Sequence, residues 1–139
     1  MIQPGENKEL ERLLVPGLLR SKNIIIAEDD ETNFYLLKEY LEFSKANIIW
    51  CKDGKETVEK VEVIKEPDMI LMDIRMPILN GYDALKIIRK KHPEIPIIAI
   101  TAYAINGDRE RGLKAGFNEY LPKPVSHKVL METILKFLV

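Results

Sequence analysis

Five short apolar runs alternate along the chain with five stretches whose apolar residues recur at helical spacing. That alternation limits the possible folds more than any other feature. The runs occupy residues 24–27, 47–51, 68–72, 97–100 and 118–121. They are too short for helices and mostly continuous, as a strand covered on both faces requires. Between them, Phe34, Leu36, Leu37, Tyr40 and Leu41 fall at helical spacing over 32–43, and Val58, Val61 and Ile64 over 55–64. A third helix over 82–91 turns Ala84, Leu85, Ile87 and Ile88 inward. A fourth over 108–115 stops at Gly116. Ser126 can N-cap a fifth carrying Val129, Leu130, Ile134, Leu135 and Leu138. Asp53-Gly54 reads as a turn, Pro67 ends the second helix, Asn80-Gly81 lies in a loop, and Pro93 and Pro96 bracket another break.

Strands alternating with helices predict a parallel sheet with helices on both faces, a three-layer αβα sandwich. Right-handed crossovers leave 2-1-3-4-5 as the expected strand order. With 139 residues there is room for one ordinary domain. Hydrophobic residues make up 46 % and charged residues 31 %, which supports a core and argues against disorder. The 21 basic and 22 acidic side chains give a net charge of -1, so no overall field directs the chain to nucleic acid or to an anionic membrane. Cys51 is the single cysteine, which excludes an intrachain disulfide and fits a reducing compartment. No apolar stretch approaches the roughly 20 residues needed to cross a bilayer, and a cytoplasmic location is expected. Residues 1–22, broken by Pro4, Gly5, Pro16 and Gly17, read as an arm or linker, leaving 23–139 as the domain.

Sites in such sheets form at the carboxyl ends of the strands, near the switch in strand order. Glu28, Asp29 and Asp30 stand at the end of strand one, Asp73 at the end of strand three, Thr101-Ala102 after strand four and Lys123-Pro124 after strand five. Carboxylates crowded at one rim repel one another and can hold a hard divalent cation. Mg²⁺ fits best, because it accepts few protein ligands and keeps several waters. Acids, a lysine, a hydroxyl and Mg²⁺ together suit phosphoryl transfer to a carboxylate nucleophile. Asp30 and Glu31 read as the start of the first helix, where negative charge suits the dipole. Trp50 and Cys51 read as packing residues, His92 and His127 as solvent-facing, and Arg89-Lys90-Lys91 as a solvated helix end.

The segments "IIIAEDDETN", "DMILMDIRMPILNGYDALKIIR", "IIAITAYA" and "AGFNEYLPKPV" resemble the receiver domain of two-component response regulators, in the right order and spacing from about Asn23 to Val139. Those around Asp73 and Lys123 resemble receivers of hybrid sensor histidine kinases in particular. The resemblance implies a flavodoxin-like, CheY-like (βα)5 fold. It implies Asp73 as phosphoacceptor, charged by a histidine kinase or a histidine phosphotransfer domain. Mg²⁺ would be held by Glu28, Asp29, Asp73 and the backbone carbonyl of Arg75. Thr101 and Lys123 would bind the phosphoryl group, Tyr120 would be an aromatic switch coupled to Thr101, and a cis bond would precede Pro124. Arg75 and Tyr103, two positions after Asp73 and Thr101, would tune dephosphorylation. Phosphorylation would alter the face of helix 4, strand 5 and helix 5, a possible homodimer surface, with no direct contact to nucleic acid or membrane.

Three other readings compete with a phosphoaccepting switch that is not itself an enzyme. A Mg²⁺-dependent aspartyl phosphatase would commonly carry an acid where Arg75 stands. A degenerate receiver acting only as a binding module would have lost side chains that are present here. A flavin carrier would need a phosphate cradle after strand one, where these acids repel phosphate.

Overall fold

Ile24, Ile25 and Ile26 have no exposed surface at all, so the strand that carries them is covered on both faces. In the computed structural model, which describes residues 15–64, 67–102 and 105–139, that strand is β1 (Asn23–Ala27). It is followed by α1 (Glu31–Glu42), β2 (Asn47–Cys51), α2 (Gly54–Val63), β3 (Met69–Met72) and α3 (Gly81–Lys91). The chain continues through β4 (Ile97–Thr101), α4 (Asp108–Ala115), β5 (Glu119–Pro122) and α5 (His127–Leu138). All neighbouring strands pair in parallel, in the expected order β2-β1-β3-β4-β5.

The alternation of side chains along each strand divides the core in two. Ile24, Ile26, Met69, Leu71, Ile98 and Ile100 face α1 and α5, where they meet Phe34, Leu37, Leu130 and Ile134. Ile25, Ala27, Ile70, Met72, Ile97 and Ala99 face α2 and α3, where they meet Val61, Ala84, Leu85 and Ile88. Both layers are apolar because a central parallel strand has no solvent side.

Four helices begin at a side chain that accepts a backbone N–H: Asp30 from Asn33, Asp53 from Glu56, Asn80 from Asp83 and Ser126 from Val129. Each cap satisfies an N–H that the first helical turn leaves without a partner. Asp53-Gly54, expected as a turn, is instead the cap and first residue of α2. A Cβ on Gly54 would collide with the Leu79 carbonyl of the β3–α3 loop.

The helical stripes are narrower than periodicity suggests. Leu36, Ile87 and Val129 are exposed, because each sits at the flank of its stripe, about 60–100° from the nearest buried neighbour. Arg89 departs from the solvated helix end expected of it. Its guanidinium donates to the carbonyls of Gly116, His92 and Ile95 and to the Asn118 side chain. It thereby ties the end of α3 to the turn before β5.

Residues 1–14 of the expected arm lie outside the described residues. Of the remainder, Leu19 is fully buried in the α1–α5 layer, and the Gly17 and Leu19 amides donate to the carbonyls of Phe43 and Ser44.

Candidate functional site: an acidic cup at the strand ends

Parallel pairing brings the ends of β1, β3, β4 and β5 to one rim. The Asp73 amide continues the β1–β3 ladder by donating to the Ala27 carbonyl at 2.9 Å, and the Lys123 amide donates to the Thr101 carbonyl at 2.8 Å. These bonds set where the four strands release their side chains. Oxygens of Glu28, Asp29 and Asp73 lie within 4.8 Å of one another. Lys123 Nζ reaches between them, 2.6 Å from Glu28 Oε1 and 2.9 Å from Asp73 Oδ2. The other Asp73 oxygen, Oδ1, accepts the Arg75 amide at 3.2 Å. Glu28 Oε2 accepts the Asp30 amide at 3.3 Å. Thr101 is fully buried at the end of β4, and the Lys123–Pro124 peptide is cis.

Burial decides the electrostatics. Glu28 is 1 % exposed, and its carboxyl is pushed up to about 7 by burial. The Lys123 ammonium resists that rise and the neighbouring Asp73 adds to it. Burial also works to lower Lys123, but its hydrogen bonds to Glu28 and Asp73 outweigh this and hold it above its ordinary value. One ammonium therefore faces three carboxylates, and the most buried of these is driven toward its neutral form. A hard divalent cation would remove that conflict, and an all-oxygen donor set is what Mg²⁺ requires. The residues fit the ion.

Asp29 and Arg75 are exposed, and Asp73 is buried. Tyr103 lies outside the described residues. Tyr120 is buried and packs edge-on to Phe117; burial, followed by the neighbouring Tyr82 hydroxyl, raises its hydroxyl. His92 and His127 lie away from the rim, beside Glu62 and the Tyr40 carbonyl. Cys51 is a packing residue, its thiol pushed up to about 11 by burial. Sequence reasoning missed two contacts. Lys123 approaches Glu28 more closely than Asp73, and the Trp50 indole N–H donates to the Glu28 carbonyl at 2.8 Å. The neighbouring strand positions of Ile26 and Trp50 were the available signal for the second.

Fold and site together define a doubly wound α/β protein with a buried aspartate, a lysine and an acidic pair at its switch point. The family model for the response regulator receiver domain matches residues 24–135, and the chain belongs to that family. It is 39 % identical over 121 residues to a hybrid signal transduction histidine kinase I of Dictyostelium discoideum, covering 81 % of this chain but 7 % of that protein. It is 35 % identical over 120 residues to the polar-differentiation response regulator DivK of Brucella ovis, covering 85 % of this chain and 97 % of that protein. Among solved structures, it resembles the receiver domain of the sensor histidine kinase PA1611 from Pseudomonas aeruginosa, which has a magnesium ion coordinated in its active site cleft. The TM-score is 0.77 at 35 % identity, covering 84 % of this chain and 97 % of that one. It also resembles the receiver domain of the response regulator Ssk1 of Saccharomyces cerevisiae, solved with the histidine phosphotransfer protein Ypd1. There the TM-score is 0.77 at 29 % identity, covering 84 % and 88 %.

Proposed function

We propose that Asp73 accepts a phosphoryl group from a phosphohistidine on a histidine kinase or a histidine phosphotransfer domain. A carboxylate oxygen of Asp73 attacks phosphorus, the P–O bond forms as the P–N bond breaks, and the electron pair leaves with the imidazole nitrogen. The product is an acyl phosphate, which water later cleaves. The observation that carries this reading is the Lys123 ammonium bridging Asp73 and Glu28, with Asp29 in the same cup.

Lys123 neutralises charge on the incoming phosphoryl oxygens while holding Asp73 Oδ2, and the Arg75 amide holds Oδ1. Thr101 donates its hydroxyl to a phosphoryl oxygen. Glu28, Asp29, Asp73 and the Arg75 carbonyl would hold Mg²⁺, which would supply the positive charge that offsets repulsion between a phosphoryl group and these carboxylates. The phosphoryl group brings about −1.5 to −2 charge and favours the arrangement in which Thr101 and Lys123 turn to it. Tyr120 responds from its buried position, and Arg75 and Tyr103 set how fast water reaches the acyl phosphate.

The signal leaves through the α4–β5–α5 face, by a protein contact or by a homodimer. The Arg109–Glu119 and Arg111–Asp108 ion pairs lie on that face. In this reading the receiver unit spans 23–139 with 1–22 as its arm, and works in the cytoplasm as a switch that turns over no external substrate. No helix among the described residues is long and apolar enough to cross a membrane. Incubation with acetyl phosphate and Mg²⁺, followed by intact mass measurement, tests the proposal. One phosphoryl adduct that is absent from Asp73→Asn supports it. Steady release of phosphate from many esters would point to a hydrolase instead.

A further inference from the structure

Trp50 belongs to β2, the edge strand, yet its indole reaches the backbone that carries the acidic cup. Its Nε1–H donates to the Glu28 carbonyl at 2.8 Å, and the Glu28 amide donates to the Cys51 carbonyl at 2.9 Å. In a parallel ladder of this register the Asp53 N–H would come next to the Glu28 carbonyl. Asp53 leaves the sheet to cap α2, and the indole occupies the donor position at this point. One strand therefore grips Glu28 by both its N–H and its C=O.

That grip bears on chemistry because of what the peptide joins. The Glu28 carbonyl and the Asp29 nitrogen form one rigid plane, so its rotation re-aims two of the three clustered carboxylates together. The bond is also sheltered. The indole stacks on Phe34 of α1 with centroids 4.1 Å apart and planes 3° from parallel. Tyr35 meets it edge-on at 6.0 Å, and Lys52 Nζ lies 4.9 Å from its centroid. A residue needed only to cover Phe34 could be phenylalanine; tryptophan adds a donor aimed at one carbonyl.

We propose that Trp50 is a positioning residue for the acidic cup, fixing the Glu28–Asp29 peptide so that both carboxylates are held ready for the divalent cation. The inference rests on reading the cup as a cation-assisted phosphoryl acceptor. A hydrogen bond behind a metal ligand set is worth a several-fold change in metal affinity.

Trp50→Phe retains a ring over Phe34 and removes the N–H. Calorimetric titration of the full chain with Mg²⁺ should show affinity weakened about three- to tenfold in this variant. Phe34→Leu, which breaks the stack and keeps the donor, should lower Tm with a smaller change in Mg²⁺ affinity. Equal Mg²⁺ affinity in Trp50→Phe and wild type overturns the inference, as does a wild-type chain that binds no Mg²⁺. Should Trp50→Phe fail to fold, the wild type carries a second measurement. Its single tryptophan gives one indole N–H resonance, which should exchange slowly with solvent and shift with Mg²⁺ to saturation at the calorimetric Kd. An indole N–H that exchanges freely or ignores Mg²⁺ overturns it. Mg²⁺ binding weakened in Trp50→Phe, with no phosphoryl uptake by Asp73, would uphold this inference and remove the phosphoacceptor reading. Phosphoryl uptake with unchanged Mg²⁺ dependence in Trp50→Phe would do the reverse.

Discussion

Lys123 Nζ stands 2.9 Å from Asp73 Oδ2 although 50 residues separate them in sequence. The same ammonium is 2.6 Å from Glu28, so a single positive charge compensates two buried carboxylates. Lys123→Met leaves both without a counter-ion, and breaking a buried pair is costly. At neutral pH this variant should lose about 2 kcal/mol in urea unfolding, and its phosphoryl uptake from acetyl phosphate should fall at least tenfold. Lys123→Arg should not restore uptake, because a planar fork does not reproduce a compact ammonium between two acids. Wild-type uptake in either variant would remove Lys123 from the chemistry.

Glu28 gives the metal-free protein a pH signature. Its carboxyl rises from 4.5 to about 7 on folding, so between those values the folded state holds more protons than the unfolded state. Stability therefore falls as pH rises through that window and levels off above it. The total is about 3 kcal/mol at 1.36 kcal/mol per unit. Urea unfolding in chelator-treated buffer should show this slope in wild type and not in Glu28→Gln. Mg²⁺ binding near neutral pH should correspondingly release protons, which calorimetry in buffers of different ionisation enthalpy measures. Equal slopes in the two proteins would mean that Glu28 titrates normally.

Gly112 of α4 lies against Tyr120, and a Cβ there would collide with the tyrosine ring. Gly112→Ala gains about 1 kcal/mol of helix propensity and loses about 1–3 kcal/mol to overpacking. A net loss near 1 kcal/mol is expected. The loss should shrink when Tyr120 is also replaced by alanine, and a double-mutant cycle reads that coupling. Strict additivity would show that the two residues do not press on each other.

Arg89→Ala withdraws donors from the carbonyls of Gly116, His92 and Ile95 and from Asn118. Carbonyls left without partners cost more than the net worth of the bonds, so a loss of about 2 kcal/mol is expected in chemical denaturation. Arg89→Lys should recover little, since one ammonium cannot span the same acceptors. A neutral Arg89→Ala would return this side chain to the solvated class.

Much of the fold and of the cup is legible in the sequence. A short, β-branched isoleucine run such as 24–26, bounded by polar residues, fits a strand covered on both faces. A parallel sheet then delivers Glu28, Asp29, Asp73, Thr101 and Lys123 to one rim by topology alone. What escaped were contacts set by side-chain rotamers rather than by strand direction. Nothing in the periodicity says that Lys123 leans closer to Glu28 than to Asp73, or that the Trp50 nitrogen points at a carbonyl. A basic run at a helix end gives no hint that Arg89 folds back onto backbone carbonyls and Asn118 while Lys91 stays in water. Close approach is equally silent: Gly54 looks like a turn until the Leu79 carbonyl is found against it. Periodicity groups Ile87, Leu36 and Val129 with their buried neighbours because it marks a stripe without marking its width.

The central claim is that Asp73 becomes an acyl phosphate, and the most direct measurement traps that bond. Protein treated with acetyl phosphate and Mg²⁺ is reduced with borohydride, which converts an aspartyl phosphate to homoserine, and is then mapped by peptide mass spectrometry. The account predicts homoserine at position 73, dependent on Mg²⁺ and lost in Lys123→Met. Homoserine at another aspartate, or an unmodified Asp73 under conditions that saturate Mg²⁺, would contradict it.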